Sequence, residues 1–152
     1  MNSGVAGFTG SGITLPEGDI EVPKGKVIES VEDFKRPIVV EAEMKSIKHS
    51  ECISMSLFGS SSDKNSDISV EIGAWRTKYK FVPGNKVGPM GFVLDWRKVK
   101  LELNQFNNVK FYIDDELKYE TTSSKTEGKL RFFAGCEKMN IRNIKIGKKI
   151  YY

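Results

Sequence analysis

Residues Lys100–Glu120 read KLELNQFNNVKFYIDDELKYE, and this stretch decides the fold. Leu101 and Leu103 alternate with Lys100 and Glu102, then Gln105–Asn108 (QFNN) makes a short polar turn. Val109, Phe111 and Ile113 alternate with Lys110 and Tyr112, and Asp114–Glu116 (DDE) reads as a tight hairpin turn into a third arm. Successive side chains of a strand point to opposite faces, so each arm has one apolar and one largely polar face. Alternation interrupted by short polar turns predicts three antiparallel strands in a row.

The same period of two recurs along the chain. Ile38, Val40, Ala42 and Met44 alternate with Val39, Glu41, Glu43 and Lys45. Ile53, Met55 and Leu57, then Ile68, Val70 and Ile72, then Leu130, Phe132 and Ala134 repeat it, and Ile144 and Ile146 close the series. Windows with apolar residues at i, i+3, i+4 and i+7 are scarce. A sheet with one apolar face has to cover it, and without helices the cover is a second sheet. The expected fold class is therefore all-β, a two-sheet antiparallel β-sandwich, formed as a single domain over residues 1–152.

The breaks agree. Gly59–Asp67 and Thr121–Gly128 are polar connections, and Pro83–Gly91 carries too much Gly and Pro for an interior strand. A single helical turn capped by Ser30 is expected at Ser30–Phe34. Ile13–Leu15 and Ile20–Val22 suit an edge pairing with the end of the chain. For residues 1–12 both a flexible tail and an edge strand remain open.

With 152 residues the chain is long enough to bury roughly 70% of its extended surface, so a core needs no metal or disulfide. Net charge is +4 from 24 basic and 20 acidic residues, spread thinly. The densest basic runs, Arg97–Lys100 and Lys145–Lys149, are short, which argues against nucleic acid as a partner. No apolar run approaches the ~20 residues of a spanning helix, so no membrane insertion is expected. Met1–Gly12 lacks the basic and apolar regions of a signal peptide. The expected location is cytoplasmic, or secreted after processing or by an unconventional route. Cys52 and Cys136 lie in apolar-patterned stretches, which favours buried free thiols, with a single bridge as the alternative.

The order strand, turn, strand, Asp-containing hairpin, strand in Lys100–Glu120 resembles concanavalin A-like domains, the jelly-roll lectins, laminin-G-like modules and laminarinase-type glucanases. Asp115 stands where that pattern has a turn glycine, a mild departure because Asp tolerates left-handed backbone. Met139–Gly147 (MNIRNIKIG) resembles their closing strand, and Ser69–Phe81 (SVEIGAWRTKYKF) is similar to a strand of sugar-associated sandwiches. The resemblance implies a concanavalin A-like jelly roll and a carbohydrate-related role. Such domains often bind calcium, and Asp63, Asn65 and Asp67 alternate in a polar loop as oxygen ligands could. No specific motif supports calcium, and no other cofactor is expected.

Catalysis finds little support. The glucanases that the chain resembles carry E-x-D-x-x-E on one strand, with two carboxyls about 5–5.5 Å apart. Here the nearest approach is Glu41 with Glu43, two apart on one strand, with Glu71 as a third candidate. His49 is the single histidine, which excludes a His-based zinc cluster and leaves no marked triad. Sugar binding needs only an aromatic face and polar groups that fix hydroxyls. Trp75, Arg76, Lys78 and Tyr79 cluster at a strand end, and Asn107 and Tyr112 lie at and after the QFNN turn. Trp96 reads as core. The expected function is a non-catalytic glycan- or glycoprotein-binding module, with a homo-oligomer raising weak affinity by avidity. The alternatives are a protein-interaction or self-assembly module and a glycoside hydrolase.

Overall fold

The computed structural model describes residues 5–47, 49, 51–59 and 68–148, and among these every regular element is a strand. Fifteen strands form two antiparallel sheets facing each other. The first sheet runs β1 (Phe8–Gly10), β4 (Val27–Ser30), β14 (Glu127–Phe133), β7 (Ile53–Gly59), β8 (Ile68–Ala74), β9 (Lys78–Val82), β10 (Lys86–Pro89). The short β5 (Phe34–Lys35) joins it beside β14. The second runs β13 (Glu116–Thr122), β12 (Asn108–Ile113), β11 (Arg97–Leu103), β6 (Ile38–Ser46), β15 (Met139–Gly147), β3 (Ile20–Val22), β2 (Ile13–Thr14).

The alternation maps onto burial. Ile38, Val40, Ala42, Met44, Val99, Leu101, Leu103, Val109 and Phe111 are all fully buried, facing Met55, Leu57, Ile68, Val70, Ile72 and Phe132 of the other sheet. A stack of rings ties the layers together. Tyr79 and Phe81 lie 4.5 Å apart between centroids, Phe81 meets Phe111 of the second sheet at 4.6 Å, and Phe111 meets Tyr119 at 5.7 Å. Burying rings of this size stabilises by roughly 2–3 kcal/mol each.

Turn chemistry fixes the hairpins. Asp114 and Asp115 take φ of 51° and 69°, the primed two-residue turn that matches strand twist. The Gly- and Pro-rich stretch after Val82 does form a strand, β10, at the outer edge of its sheet, where Pro89 disrupts no interior ladder. Ile13–Thr14 pairs with Ile20–Glu21, and Ile20–Val22 with Met139–Ile141, the expected edge pairing. Phe8–Gly10 pairs with Ile28–Ser30 and forms the edge of the first sheet away from β10.

Four expectations change. Ser30–Phe34 forms no helical turn: the Ser30 hydroxyl donates to the Glu32 carbonyl and accepts from Leu130 N–H, which ends β4 in a bend. Cys52 and Cys136 are disulfide-bonded rather than free, because antiparallel β7 and β14 bring their Cα atoms to 5.0 Å. Trp96 lies outside the core. Its neighbour Arg97 pairs with inward-facing Met44, so Trp96 falls on the outer face, under Arg142 (4.1 Å) and Lys45 (4.9 Å). Ile146 pairs beside Val40 yet stays 40% exposed, since β15 loses its β3 neighbour after Ile141.

Candidate functional site

The residues singled out in the sequence do not gather in one place. Trp75, Arg76 and Lys78 stay together on the β8–β9 hairpin. A bulge at Gly73 shifts the register, and the turn follows, closed by Arg76 N–H to the Gly73 carbonyl (2.8 Å). Gly73 is required there: its φ is +78°, and a Cβ would run into the Glu51 carbonyl oxygen. Trp75 at φ 46° and Arg76 at φ 71° also occupy left-handed space, which disfavours bulky side chains. The Trp75 ring is 70% exposed, Lys78 Nζ sits 5.9 Å from its centroid, and Arg76 Nε lies 3.6 Å from Glu51. Phe92 and Leu94 are exposed on the adjoining loop, tied to the hairpin because Met90 and Gly91 N–H both donate to the Thr77 carbonyl.

Tyr79 does not join this surface: it is 7% exposed and stacks in the core. The signal was present in KYKFV, where Lys78 and Lys80 alternate with Tyr79 and Phe81. Tyr112 stands on the outer face of the second sheet. Its hydroxyl donates to Glu102 (3.0 Å), Lys100 lies over its ring (4.4 Å), and burial with that hydrogen bond pushes its pKa up to about 12. Asn107 lies at the far end of β12, in a cleft beside exposed Phe106. Asp63, Asn65 and Asp67 lie outside the described residues. Among the described residues no three His, Cys, Asp or Glu side chains gather as a metal site would.

The candidate carboxylates separate as well. Glu41 and Glu43 face outward on β6, where Lys145 reaches Glu41 at 3.8 Å and Arg142 reaches Glu43 at 3.3 Å. The Asn143 amide (3.1 Å) and the Arg142 guanidinium hold the Glu43 carboxyl below the ordinary value. Glu71 cannot be their third partner, because it faces outward from the other sheet, a sandwich thickness away. Its neighbours across the strands are Ser54 and Lys80, with Ser56 and Ser69 alongside. Burial there pushes the Glu71 carboxyl up, and Lys80 offsets this only in part.

Comparison with solved structures finds the same two-sheet β-sandwich architecture in other proteins. A carbohydrate-binding module from Bacillus subtilis superposes with a TM-score of 0.74 at 14% identity, covering 93% of this chain and 96% of that one. A Bacillus licheniformis β-glucanase superposes at 0.71 and 15% identity, covering 97% and 95%. The endo-β-1,3-glucanase of Pyrococcus furiosus follows at 0.67 and 12%, covering 90% and 76%. No family signature and no curated protein matches the sequence. The likeness is one of fold, shared by proteins that bind sugars and proteins that cleave them.

Proposed function

We propose that the domain is a non-catalytic glycan-binding module whose contact surface is the β8–β9 hairpin tip. One observation carries this reading: Trp75 holds a left-handed backbone, φ 46°, while 70% of it faces water. Glycine or asparagine would suit that turn better, and a core position would suit the ring better. A residue costly on both counts at a surface is a functional candidate. An indole face stacks on the apolar C–H face of a pyranose, and Arg76, Lys78 and Glu51 stand around it to hydrogen-bond hydroxyls. The carbohydrate-binding module among the structural neighbours supports the reading.

The state of the carboxylates supports binding over hydrolysis. A retaining glycosidase needs an acid with a raised pKa beside a second carboxylate. Glu43 is lowered and tied to Arg142, and Glu71, which is raised, faces outward from the opposite sheet. A glycan array probed with the intact domain and with Trp75→Ala tests the proposal. Retention on at least one glycan, lost in the variant with folding intact, is the expected result. Equal retention by both proteins removes the hairpin as the site.

A further inference from the structure

We infer that the cleft at the other end of the sandwich, floored by Arg36 and rimmed by Phe106, is a second saccharide subsite that takes a neutral sugar ring. The inference deepens the glycan-binding reading and rests on it, but it concerns residues remote from Trp75. The cleft measures about 320 Å³ and lies between segments 35–36, 105–107 and 126–127. That is the small end of the ~300–1,000 Å³ typical of small-molecule sites, enough for one or two rings rather than a long chain.

Its floor is rigid before any ligand arrives. Arg36 Nε donates to the Lys125 carbonyl (2.6 Å), Nη2 to that of Ser123 (2.8 Å), and Nη1 to those of Asn104 and Asn108 (3.1 Å each). Arg36 N–H also donates to the Thr126 carbonyl (3.1 Å), and Ser123 N–H to that of Asn107 (2.9 Å). Asn104, 4% exposed, accepts from the N–H groups of Phe106 and Asn108 at 3.0 Å each. The turn that carries Phe106 is thus fixed from both sides, while Phe106 itself remains 67% exposed. A preorganised wall loses little entropy on binding.

The donors left open decide the ligand class. The guanidinium at the floor donates to four backbone carbonyls, which engages the N–H groups that a bidentate anion would need. Lys35 and Glu127 are cross-strand partners of opposite sign at the rim, so their charges offset, and the positive charge that remains is the guanidinium already bonded to those carbonyls. The Gln105 and Asn107 amides and the Thr126 hydroxyl supply donors and acceptors together, as sugar hydroxyls require, and Phe106 supplies the apolar face.

The test is an amide-resolved NMR titration of the intact chain with cellobiose, maltose, lactose and sucrose at millimolar concentration, and with a sulfated disaccharide as the anionic control. At least one neutral disaccharide should shift the amides of Gln105–Asn108 and Lys35. Phe106→Ala should weaken that response about tenfold, with the remaining spectrum unchanged, and Trp75→Ala should leave it as it was. Silence of these amides towards all four neutral sugars overturns the inference, and so does an equal response to the sulfated one. Silent cleft amides with Trp75-dependent retention on the array would sink this site alone. Responding amides with Trp75-independent retention would sink the hairpin alone.

Discussion

The two ends of the sandwich are fastened by different means. At the Trp75 end, Cys52 and Cys136 join the segment just before β7 to the segment after β14 by a covalent bond across 84 residues. At the Phe106 end, one guanidinium gathers carbonyls from two connections that lie 68–89 residues away in sequence. A disulfide acts chiefly by restricting the unfolded chain, whereas the arginine supplies donors to part-buried carbonyls. Each exposed ring rises beside one of these fastenings. A side chain can be displayed in a fixed pose where the backbone beneath it is over-determined, and the two ends reach that condition by separate routes.

The largest expected effect comes from the covalent end. Cys52→Ala with Cys136→Ala should lower stability by about 4.5 kcal/mol, the chain-entropy value for a loop of this length, as read by urea unfolding. A loss of less than about 1 kcal/mol would mean the bridge contributes little to that end. Arg36→Ala should cost roughly 2–3 kcal/mol, since several charge-assisted bonds vanish and their acceptors stay part-buried. Arg36→Lys should recover little of this, because an ammonium cannot match the planar fork. Full recovery by lysine would show that charge, not geometry, closes that end.

A smaller effect separates display from stability. Trp75→Asn relieves the left-handed strain and should stabilise the domain by about 1 kcal/mol while abolishing glycan retention. Phe106→Ala should leave stability within about 0.5 kcal/mol, because the ring is mostly in water. A destabilised Trp75→Asn variant would contradict the view that this turn is held for function.

The smallest effect lies between the ends, on the two outer faces, and appears as a pH dependence of opposite sign. Glu43, lowered by Asn143 and Arg142, contributes stability above its unfolded pKa and loses it as pH falls through the folded value. Glu71, raised by burial, behaves in reverse. The native state holds its proton more tightly, so stability is greater on the acid side and declines as pH rises through the folded value. Near pH ~7, Glu43→Gln should therefore destabilise and Glu71→Gln should stabilise, and both differences should shrink near pH ~3. Unfolding curves at the two pH values check this, and a shared sign at neutral pH would break the contrast between the faces.

Much of the architecture was legible because burial follows a period of two that a short window reveals. Val99, Leu101 and Leu103 repeat it on β11, and all three are fully buried. The candidate site was legible only in part. Trp75, Arg76 and Lys78 were found together because neighbours in a turn stay neighbours in space. Tyr79 was grouped with them by proximity, although the alternation of its own strand sends it inward. Asn107 was named, but Phe106 and the cleft that holds them both were not. QFNN reads as an ordinary turn, and Arg36, which shapes the cleft, meets partners too distant in sequence for any local pattern to show.

The sequence alone determined which faces of the strands are apolar, where the chain turns, and that two sheets have to cover each other, since those follow from alternation and turn propensity between near neighbours. Only the tertiary structure decided the Cys52–Cys136 bond, the opposite states of Glu43 and Glu71, and the cleft around Arg36. Each of these depends on which distant strand lies alongside, and a side chain's charge, exposure and partners are set by that neighbour.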